Sequence, residues 1–350
     1  MADVYVRLRE FLDKLPAGYP STPTGVELKI LKKLFTPEEA ELTMQLRNEP
    51  EEVSTIARRT GMEEKQLAQK LEDMAQKGIL FRIRSGDKCL YQAFQFVVGV
   101  YEFQLNRLDK EFCELFEEYI PYLGANMMSV PTRQLRVVPV ESAVGSGKGV
   151  ATYNQVRELV ERQSVFAVQE CICRKEQALL GHGCEYPREI CLGFGDFAQF
   201  YIDNHMAKPI SKEECLKLLA QAEAAGLVLS PTNTQDVAAI CCCCSCCCPV
   251  LKFAKMAPRP ADLVLSYYES KIDPDRCTGC GDCIQRCPMD AIRERDQISE
   301  VMEGRCIGCG LCVSVCPVEA ISLVAKAGLE APPRDMKDMM SRIAAERRVA

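Results

Sequence analysis

Residues 277–288 read Cys-Thr-Gly-Cys-Gly-Asp-Cys-Ile-Gln-Arg-Cys-Pro, and residues 306–317 read Cys-Ile-Gly-Cys-Gly-Leu-Cys-Val-Ser-Val-Cys-Pro. In each run three cysteines follow at three-residue spacing, and a fourth stands directly before a proline. This spacing is typical of a pair of iron–sulfur clusters, where three thiolates wrap one cubane and the fourth ligates the other. It predicts two crossed ligand sets. The first 4Fe-4S cluster is expected on Cys277, Cys280, Cys283 and Cys316, and the second on Cys306, Cys309, Cys312 and Cys287.

Glycines lie between the first three cysteines of both runs, at positions 279, 281, 308 and 310. A backbone without Cβ takes positive φ and can turn its N–H groups toward cluster sulfurs. Two zinc sites are the alternative use of eight cysteines. Zinc ligands more often come as two C-x-x-C pairs with a longer spacer, so the pattern favours clusters.

The segment from about 271 to 325 resembles the bacterial-type dicluster ferredoxins, which it matches at all eight cysteines and at both prolines. The resemblance implies a small pseudo-twofold fold with short hairpins and a helix after each first motif. It also implies a one-electron relay with two clusters of the ordinary low-potential type. It does not indicate the donor or the acceptor.

The composition indicates a reducing compartment. The 350 residues include 22 cysteines, two histidines and no tryptophan, with a formal net charge of -6. The first residues lack the apolar core of a signal peptide, so we expect reduced thiols in the cytoplasm of an anaerobic cell rather than disulfides. No apolar run approaches the roughly 20 residues of a membrane span. The longest, Phe94 to Phe103, predicts a buried strand.

The sequence predicts an α+β multidomain protein. Its expected parts are a winged-helix-like domain (1–125), a cysteine-rich α/β domain (135–255), a dicluster ferredoxin domain (265–327) and a charged helical tail (328–350). A linker is expected at 145–149, which reads Gly-Ser-Gly-Lys-Gly. This stretch lacks the first glycine and the hydroxyl of a phosphate loop, so we predict no nucleotide.

The amino-terminal block predicts helix, turn, helix and hairpin, the order of a winged helix. A helix begins after Thr36, and a second carries Val53, Ile56 and Ala57 up to a turn at Gly61. A third runs from Glu63 to Lys77, and strands 79–84 and 91–94 form the hairpin. The helix 63–77 carries no net positive charge to bind phosphates. Scattered bases keep DNA binding as an alternative, while docking to protein is favoured. These bases are Arg58, Arg59, Arg82, Arg84 and Lys88.

The middle block carries a second set of cysteines. A predicted strand, Phe166–Val168, leads into Cys171, and later the chain reads Cys-Cys-Cys-Cys-Ser-Cys-Cys-Cys at 241–248. Buried free thiols are the alternative, but so dense a run would oxidise unless a metal occupied it. We predict one or two further iron–sulfur clusters, with individual ligands unassigned. The candidates are Cys171, Cys173, Cys184, Cys191, Cys241, Cys242, Cys243, Cys244, Cys246, Cys247 and Cys248.

Several single residues and short patterns give further predictions about the middle block and the tail. Arg174 could balance the charge of a thiolate site, and His182 is a candidate further ligand. Ser211 and Glu214 predict a capping box, and a strand is expected around 226–229. In the tail, Met336, Met339, Met340 and Ile343 recur at helical spacing, which is typical of a helix docked on its own chain.

The order of these blocks resembles a group of largely uncharacterised iron–sulfur proteins of anaerobic bacteria. The first hypothesis is an electron-transfer protein, a subunit or adaptor that relays low-potential electrons between redox protein partners. The alternative is a redox- or oxygen-sensing regulator that binds DNA through the winged-helix-like domain. No catalytic residue is predicted.

Overall fold

The computed structural model describes residues 3–144 and 150–349. The predicted linker at 145–149 lies outside the described residues. Helices are numbered in chain order. They are α1 (Val4–Asp13), α2 (Val26–Leu34), α3 (Pro37–Thr43), α4 (Val53–Thr60), α5 (Glu64–Gln76), α6 (Lys110–Met128), α7 (Glu141–Val144), α8 (Val156–Glu161), α9 (Ile172–Leu179), α10 (Gly195–Asp203), α11 (Lys212–Ala225), α12 (Pro249–Met256), α13 (Pro260–Leu263), α14 (Asp282–Arg286) and α15 (Met336–Val349).

The strands form four sheets, and every strand pair within them is antiparallel. The strands are β1 (Glu51–Glu52), β2 (Phe81–Ser85), β3 (Lys88–Gln92), β4 (Phe166–Glu170), β5 (Glu189–Phe194), β6 (Ala207–Pro209), β7 (Val228–Pro231), β8 (Ala239–Cys243), β9 (Tyr268–Ile272), β10 (Ile292–Arg295), β11 (Ile298–Val301) and β12 (Ile321–Ala325).

The amino-terminal elements follow the predicted order. Thr36 and Glu39 form a capping box at the start of α3, because each side chain accepts from the other residue's backbone N–H. The helix α5 buries Leu67 and Leu71 and is followed by the β2–β3 hairpin, paired from Phe81 with Gln92 to Ser85 with Lys88. Helix, turn, helix and hairpin are therefore confirmed as elements. The winged-helix class remains a prediction.

The segment from Phe94 to Phe103 is not a strand, so that prediction was wrong. Its backbone is irregular around Phe96–Val100 and turns into a short 3₁₀ segment at Glu102–Gln104. Side chains take the place of a neighbouring strand: Val98 N–H donates to Gln134 Oε1 at 3.1 Å, and Gln134 Nε2 donates to the Val97 carbonyl at 3.2 Å. Burial was correct, but burial does not require sheet pairing.

The middle of the chain builds a five-stranded sheet in the order β6-β4-β5-β8-β7. The predicted strand at 166–168 is β4, and the one near 226–229 is β7, which begins two residues later. The capping box of Ser211 and Glu214 opens α11 as predicted. Two eight-residue helices leave this sheet, α9 after β4 and α12 shortly after β8.

The carboxy-terminal third pairs β9 with β12 and β10 with β11. The first cysteine run contains the short helix α14 before its fourth cysteine, whereas the second contains only a 3₁₀ turn at Val313–Val315. The helix expected after each first motif is thus present as an α-helix once.

The tail folds back as predicted for a helix docked on its own chain. Met339 and Ile343 of α15 pack with Val130 in a small buried cluster. Glu346 accepts hydrogen bonds from the backbone N–H and the hydroxyl of Thr132, at 2.9 and 2.6 Å. Within the described residues, no helix combines the length and the apolar character that a bilayer crossing requires.

Candidate metal centres

The four cysteines of the first predicted ligand set line one small cavity. We call it the outer ferredoxin site; its thiols are Cys277, Cys280, Cys283 and Cys316. Three come from the first run and the fourth from the second. The sequence prediction of crossed sets matches this grouping of side chains.

The other four cysteines line a second small cavity. We call it the inner ferredoxin site; its thiols are Cys287, Cys306, Cys309 and Cys312. It packs against the core of the middle sheet, since Cys309, Met289 and Ala291 belong to that buried cluster. In each cavity three thiols come from one run and the fourth comes from the other.

The hydrogen bonds to the sulfurs repeat between the two sites. Ser299 N–H donates to Cys277 Sγ at 3.4 Å, and Ser270 N–H donates to Cys306 Sγ at 3.3 Å. The serine hydroxyls contact a second thiol of each set, Cys283 at 3.3 Å and Cys312 at 3.2 Å. Donors arranged around sulfur suit a thiolate-ligated cluster, whose negative charge they stabilise.

The fourth thiol of each set accepts a backbone hydrogen bond at 3.2 Å, from Ala291 to Cys287 and from Ala320 to Cys316. Each alanine lies four residues after its cysteine, across the Cys-Pro turn. The donors to sulfur therefore follow the pseudo-twofold relation of the two runs. This arrangement fits the cofactor that the spacing predicts.

Two glycines shape the loops around these cavities. Gly279 and Gly308 have φ of +69° and +64°, and a Cβ on either would collide with a backbone carbonyl oxygen, that of Gln297 or of Tyr268. The glycines allow each cysteine loop to lie directly against a neighbouring strand segment. Side chains at these positions would push the loop away from its site.

The environment of the thiols differs between the two sites. The N–H of Ser299 holds the pKa of Cys277 below its usual value. Burial raises the pKa of Cys312 to about 12 and that of Cys309 well above the ordinary range. Buried thiols of this kind become thiolates when a bound cation compensates their charge.

Four middle-block cysteines converge on one point. Their sulfurs all lie within 4.8 Å of one another, and Cys247 Sγ is 3.5 Å from Cys184 Sγ. We call this group the thiol tetrad; it comprises Cys184, Cys244, Cys246 and Cys247. Burial alone would raise the pKa of Cys184, but the N–H of Tyr186 and the neighbouring thiols outweigh it and lower the pKa.

Six other cysteines form a second, separate group. The pKa of each thiol is shifted most by two neighbouring thiols of the group, and these pairings close into a ring. We call it the six-thiol ring. In order around the ring its members are Cys171, Cys173, Cys248, Cys243, Cys241 and Cys191.

The local secondary structure explains which cysteines belong to the ring. Cys241 and Cys243 alternate with Cys242 along β8, so they share one face of the sheet while Cys242 points to the other. Cys171 and Cys248 occupy the N-cap positions of α9 and α12, where helix dipoles favour negative charge. Hydrogen bonds from neighbouring thiols lower the pKa of Cys171 and Cys248, and that of Cys241 to about 5.

Arg174 lies between the ring and the tetrad. Its guanidinium is fully buried and donates to the carbonyls of Pro187 at 2.8 Å and Cys242 at 2.7 Å, while Nε has no oxygen or nitrogen partner. Burial alone would lower the pKa of Arg174. The thiols of Cys171 and Cys244 reverse this effect and raise its pKa.

Ten of the eleven candidate cysteines of the middle block thus fall into two groups. Cys242 joins neither group; it is buried in the core, and burial raises the pKa of its thiol. Cys184 belongs to a different group from Cys171 and Cys191, although the three cysteines are neighbours along the chain. His182 is exposed and lies outside the tetrad.

The middle block connects directly to the inner ferredoxin site. The helix α12 begins immediately after Cys248, and Arg305, which precedes Cys306, donates to carbonyls at its far end, including Lys255 at 3.2 Å. Arg305 also donates to the Met289 carbonyl at 2.8 Å. Eight residues of α-helix, about 12 Å, therefore link the ring to the inner site.

Sequence reasoning missed three contributors to these sites, Ser270, Ser299 and Arg305. The two serines had a signal, since Ser270 stands seven residues before Cys277 and Ser299 seven residues before Cys306. Each contacts cysteines of the other run. Arg305 had none, because its partners are backbone carbonyls distant in sequence.

Comparison with protein families matches residues 270–323 to the family described as 4Fe-4S dicluster domain. The match covers about a sixth of the chain and supports an iron–sulfur, ferredoxin-like module. Comparison with curated proteins gave no match, and neither did comparison with solved structures. The dicluster domain and the thiol tetrad together indicate iron–sulfur electron transfer.

Proposed function

We propose that this protein relays low-potential electrons between redox protein partners, as a cytoplasmic subunit or adaptor of an anaerobic oxidoreductase system. The observation that carries the proposal is the pair of equivalent four-thiol cavities within the matched dicluster segment. The thiol tetrad supports a third iron–sulfur centre in the middle block. Clusters with four cysteine ligands supply one-electron transfer over a wide range of potentials.

The proposed ligands are the four thiols of each site. In the two ferredoxin sites, Ser270, Ser299, Ala291 and Ala320 would hold the sulfurs through the donors described above. In the tetrad, Arg174 would offset the negative charge of the thiolates. These groups bind and orient the cofactors, and they set the charge that surrounds them.

Two cysteines of the described chain are exposed, Cys280 in the outer ferredoxin site and Cys246 in the tetrad. The inner ferredoxin site packs against the middle core, to which the tetrad thiols Cys244 and Cys247 also belong. A relay needs places where partner proteins approach a cluster closely. The two exposed cysteines mark these places. We therefore expect one redox partner to bind at the outer ferredoxin site and another to bind at the tetrad.

The DNA-binding alternative is not favoured by the basic residues that suggested it. Arg82 and Arg84 both pair with Asp203, Arg59 pairs with Glu51 at 2.6 Å, and Lys88 pairs with Glu52 at 2.7 Å. Bases engaged with acids on the same chain release fewer counterions from phosphates. The β2–β3 hairpin also packs on α10, which leaves its strand β2 committed to the molecule itself.

The experiment is a reductive titration of anaerobically purified protein, followed by low-temperature electron paramagnetic resonance with iron and acid-labile sulfide counts. The two ferredoxin sites require about eight irons per chain, to which iron at the tetrad is added. We expect reversible one-electron signals. Cys280→Ser should weaken the outer-site signal, and Cys309→Ser the inner-site signal.

These two variants are matched, because each changes the middle thiol of one run. Unchanged spectra in both would overturn the ligand assignment. Clusters that are present but cannot be reduced and reoxidised would overturn the electron-transfer function.

A further inference from the structure

We propose that the thiol tetrad binds a single metal ion, held tetrahedrally by four thiolates, and not a four-iron cubane. The inference rests on the proposed electron relay and specifies the centre at its middle-block end. The ligands are the thiols of Cys184, Cys244, Cys246 and Cys247. Tetrahedral sets of four thiolates suit zinc and iron, and we expect iron because zinc has no redox chemistry for a relay.

The distances between the sulfurs carry the inference. A four-coordinate ion with metal–sulfur bonds of about 2.3 Å places its ligand sulfurs about 3.8 Å apart, since they occupy the corners of a tetrahedron. In the tetrad, Cys247 Sγ lies 3.5 Å from Cys184 Sγ and 3.8 Å from Cys246 Sγ, and no two of the four sulfurs are more than 4.8 Å apart. The four thiols therefore stand at the spacing that one ion requires.

A cubane requires a wider set of ligands. Its four irons occupy separate corners and each takes one thiolate, so the width of the iron core adds to the distance between the ligand sulfurs. The two ferredoxin sites give the comparison within the same chain. Among the described residues, only the tetrad brings three or more histidine, cysteine or acidic side chains within 4.8 Å of one another, so the thiols of both ferredoxin sites are spaced more widely. The spacing at the predicted cubanes is therefore not the spacing of the tetrad.

The local chain also favours convergence on one atom. Cys244, Cys246 and Cys247 come from four consecutive residues in the turn between β8 and α12. In each ferredoxin run the first three cysteines span seven residues, which gives the loop room to wrap a cluster. The fourth thiol of the tetrad, Cys184, reaches the turn from the segment between α9 and β5.

Charge provides a second observation, which points to thiolate ligands. Arg174 is fully buried, and it donates to the carbonyls of Pro187 and Cys242 at 2.8 and 2.7 Å. These carbonyls lie on the two segments that carry the tetrad, three residues after Cys184 and two residues before Cys244. The Nε of Arg174 has no oxygen or nitrogen partner, and a buried cation is costly unless an anion compensates it. Four thiolates around one divalent ion carry a net charge of about −2 and supply that anion.

The test measures iron, zinc and acid-labile sulfide per chain in the anaerobically purified full chain. The tetrad variant Cys184→Ala/Cys246→Ala should lose about one metal ion and no sulfide, because a single-ion site contains no inorganic sulfide. Removal of a cubane would instead cost about four irons and about four sulfides. Cys242→Ala is the matched control, since it lies on the adjoining strand β8 and outside the tetrad, and it should retain all metal and sulfide.

Loss of about four irons together with about four sulfides would overturn the proposal, and so would a tetrad variant that loses no metal. Loss of one zinc supports the single-ion site and removes the tetrad from the relay. If the variant misfolds, its ferredoxin signals disappear as well, and the wild type then decides. The Mössbauer signal of a lone iron on four thiolates, or one zinc per chain, supports the single ion, and the absence of both overturns it. The proposed relay is judged separately, by the reversible signals of the ferredoxin sites.

Discussion

Ser270 and Ser299 show how single side chains adjust otherwise equivalent sites. Each offers a backbone N–H to the first thiol of a set and a hydroxyl to the third. Hydrogen bonds to cluster sulfurs stabilise the more negative, reduced state and so raise the potential. The hydroxyl contribution can be removed without changing the backbone.

Ser299→Ala should lower the reduction potential of the outer site by roughly 20–60 mV, the equivalent of a hydrogen bond of about 0.5–1.5 kcal/mol. Ser270→Ala should do the same at the inner site alone. A potentiometric titration resolved by paramagnetic resonance measures both. Ser322→Ala is the control, since Ser322 is an exposed residue of β12. Equal shifts in all three variants would contradict the assignment.

Two glycines of the first cysteine run allow the effect of a steric collision to be distinguished from the effect of an unfavourable backbone conformation. Gly279→Ala should abolish the outer cluster, because its Cβ would collide with the Gln297 carbonyl. The loss would be about four irons. Gly281→Ala is the matched control: its φ is +80°, but nothing lies within 4 Å of its Cβ. It should cost only about 1–2 kcal/mol and retain the iron. Equal iron loss in both variants would refute the steric explanation.

Between elements, Arg82 joins the hairpin to the middle block. It is buried on β2 and binds Glu72 of α5, Asp203 at the end of α10 and Asn204, the last two at 3.1 Å. Phe81 and Phe200 pack nearby, with ring centroids 4.9 Å apart and the ring planes tilted by 46°. The amino-terminal core therefore includes part of the middle block.

Arg82→Met should destabilise the protein by about 1.5–3 kcal/mol, because it removes the charged hydrogen bonds that the fully buried guanidinium makes with the partly buried Glu72 and Asp203. Arg84→Met should cost about 0–1 kcal/mol, although Arg84 binds the same Asp203, because its side chain is 46% exposed. Denaturant midpoints of the cluster-loaded protein compare the two. Similar denaturation midpoints of the two variants would show that the ion pairs of buried Arg82 stabilise the fold no more than the pair of exposed Arg84.

A buried carboxyl on α9 makes stability depend on pH. Burial raises the pKa of Glu176 to about 8, and the groups facing it are Tyr101, Glu117 and Lys252. The folded protein keeps this proton up to about pH 8, whereas the unfolded chain releases it near pH 4.5. Its stabilising contribution is therefore complete below pH 4.5 and is lost progressively as the pH rises to about 8.

Glu176→Gln should remove this dependence. Between pH 6 and pH 8 the wild type should lose about 2–3 kcal/mol more than the variant, since one proton corresponds to about 1.4 kcal/mol per pH unit. Paired denaturation curves at the two pH values measure the difference, and effects of pH on the clusters cancel in the comparison. Parallel losses in wild type and variant would show that Glu176 is charged in the fold.

For the whole molecule, exposure of the sites sets their sensitivity to oxygen. Cys280 of the outer site is exposed, whereas Cys309 and Cys312 of the inner site are 8% and 7% exposed and pack against the middle core. On controlled exposure to air, the outer-site signal should decay before the inner-site signal, because solvent reaches it first. Freeze-quenched paramagnetic resonance follows both. Faster loss of the inner signal would contradict this order.

The sequence by itself determined the ferredoxin module, because its spacing within two short runs dictates which loops can wrap a cluster. Local signals also predicted the helix start at Thr36, the capping box of Ser211 and the docked tail helix, since caps and helical periodicity depend on residues three or four apart. The strand predicted at Phe94–Phe103 failed because the partner of its backbone, Gln134, lies far along the chain.

Only the tertiary structure decided how the middle cysteines divide. Sequence adjacency places Cys242 beside Cys241, yet the alternation of β8 puts them on opposite faces. The tertiary structure also brings Cys184 to the turn at 244–247. It brings Cys171 to the strand that carries Cys243 and to the helix that follows Cys248. Ligand sets gathered from separate elements depend on sheet order and helix placement, which no spacing along the chain records.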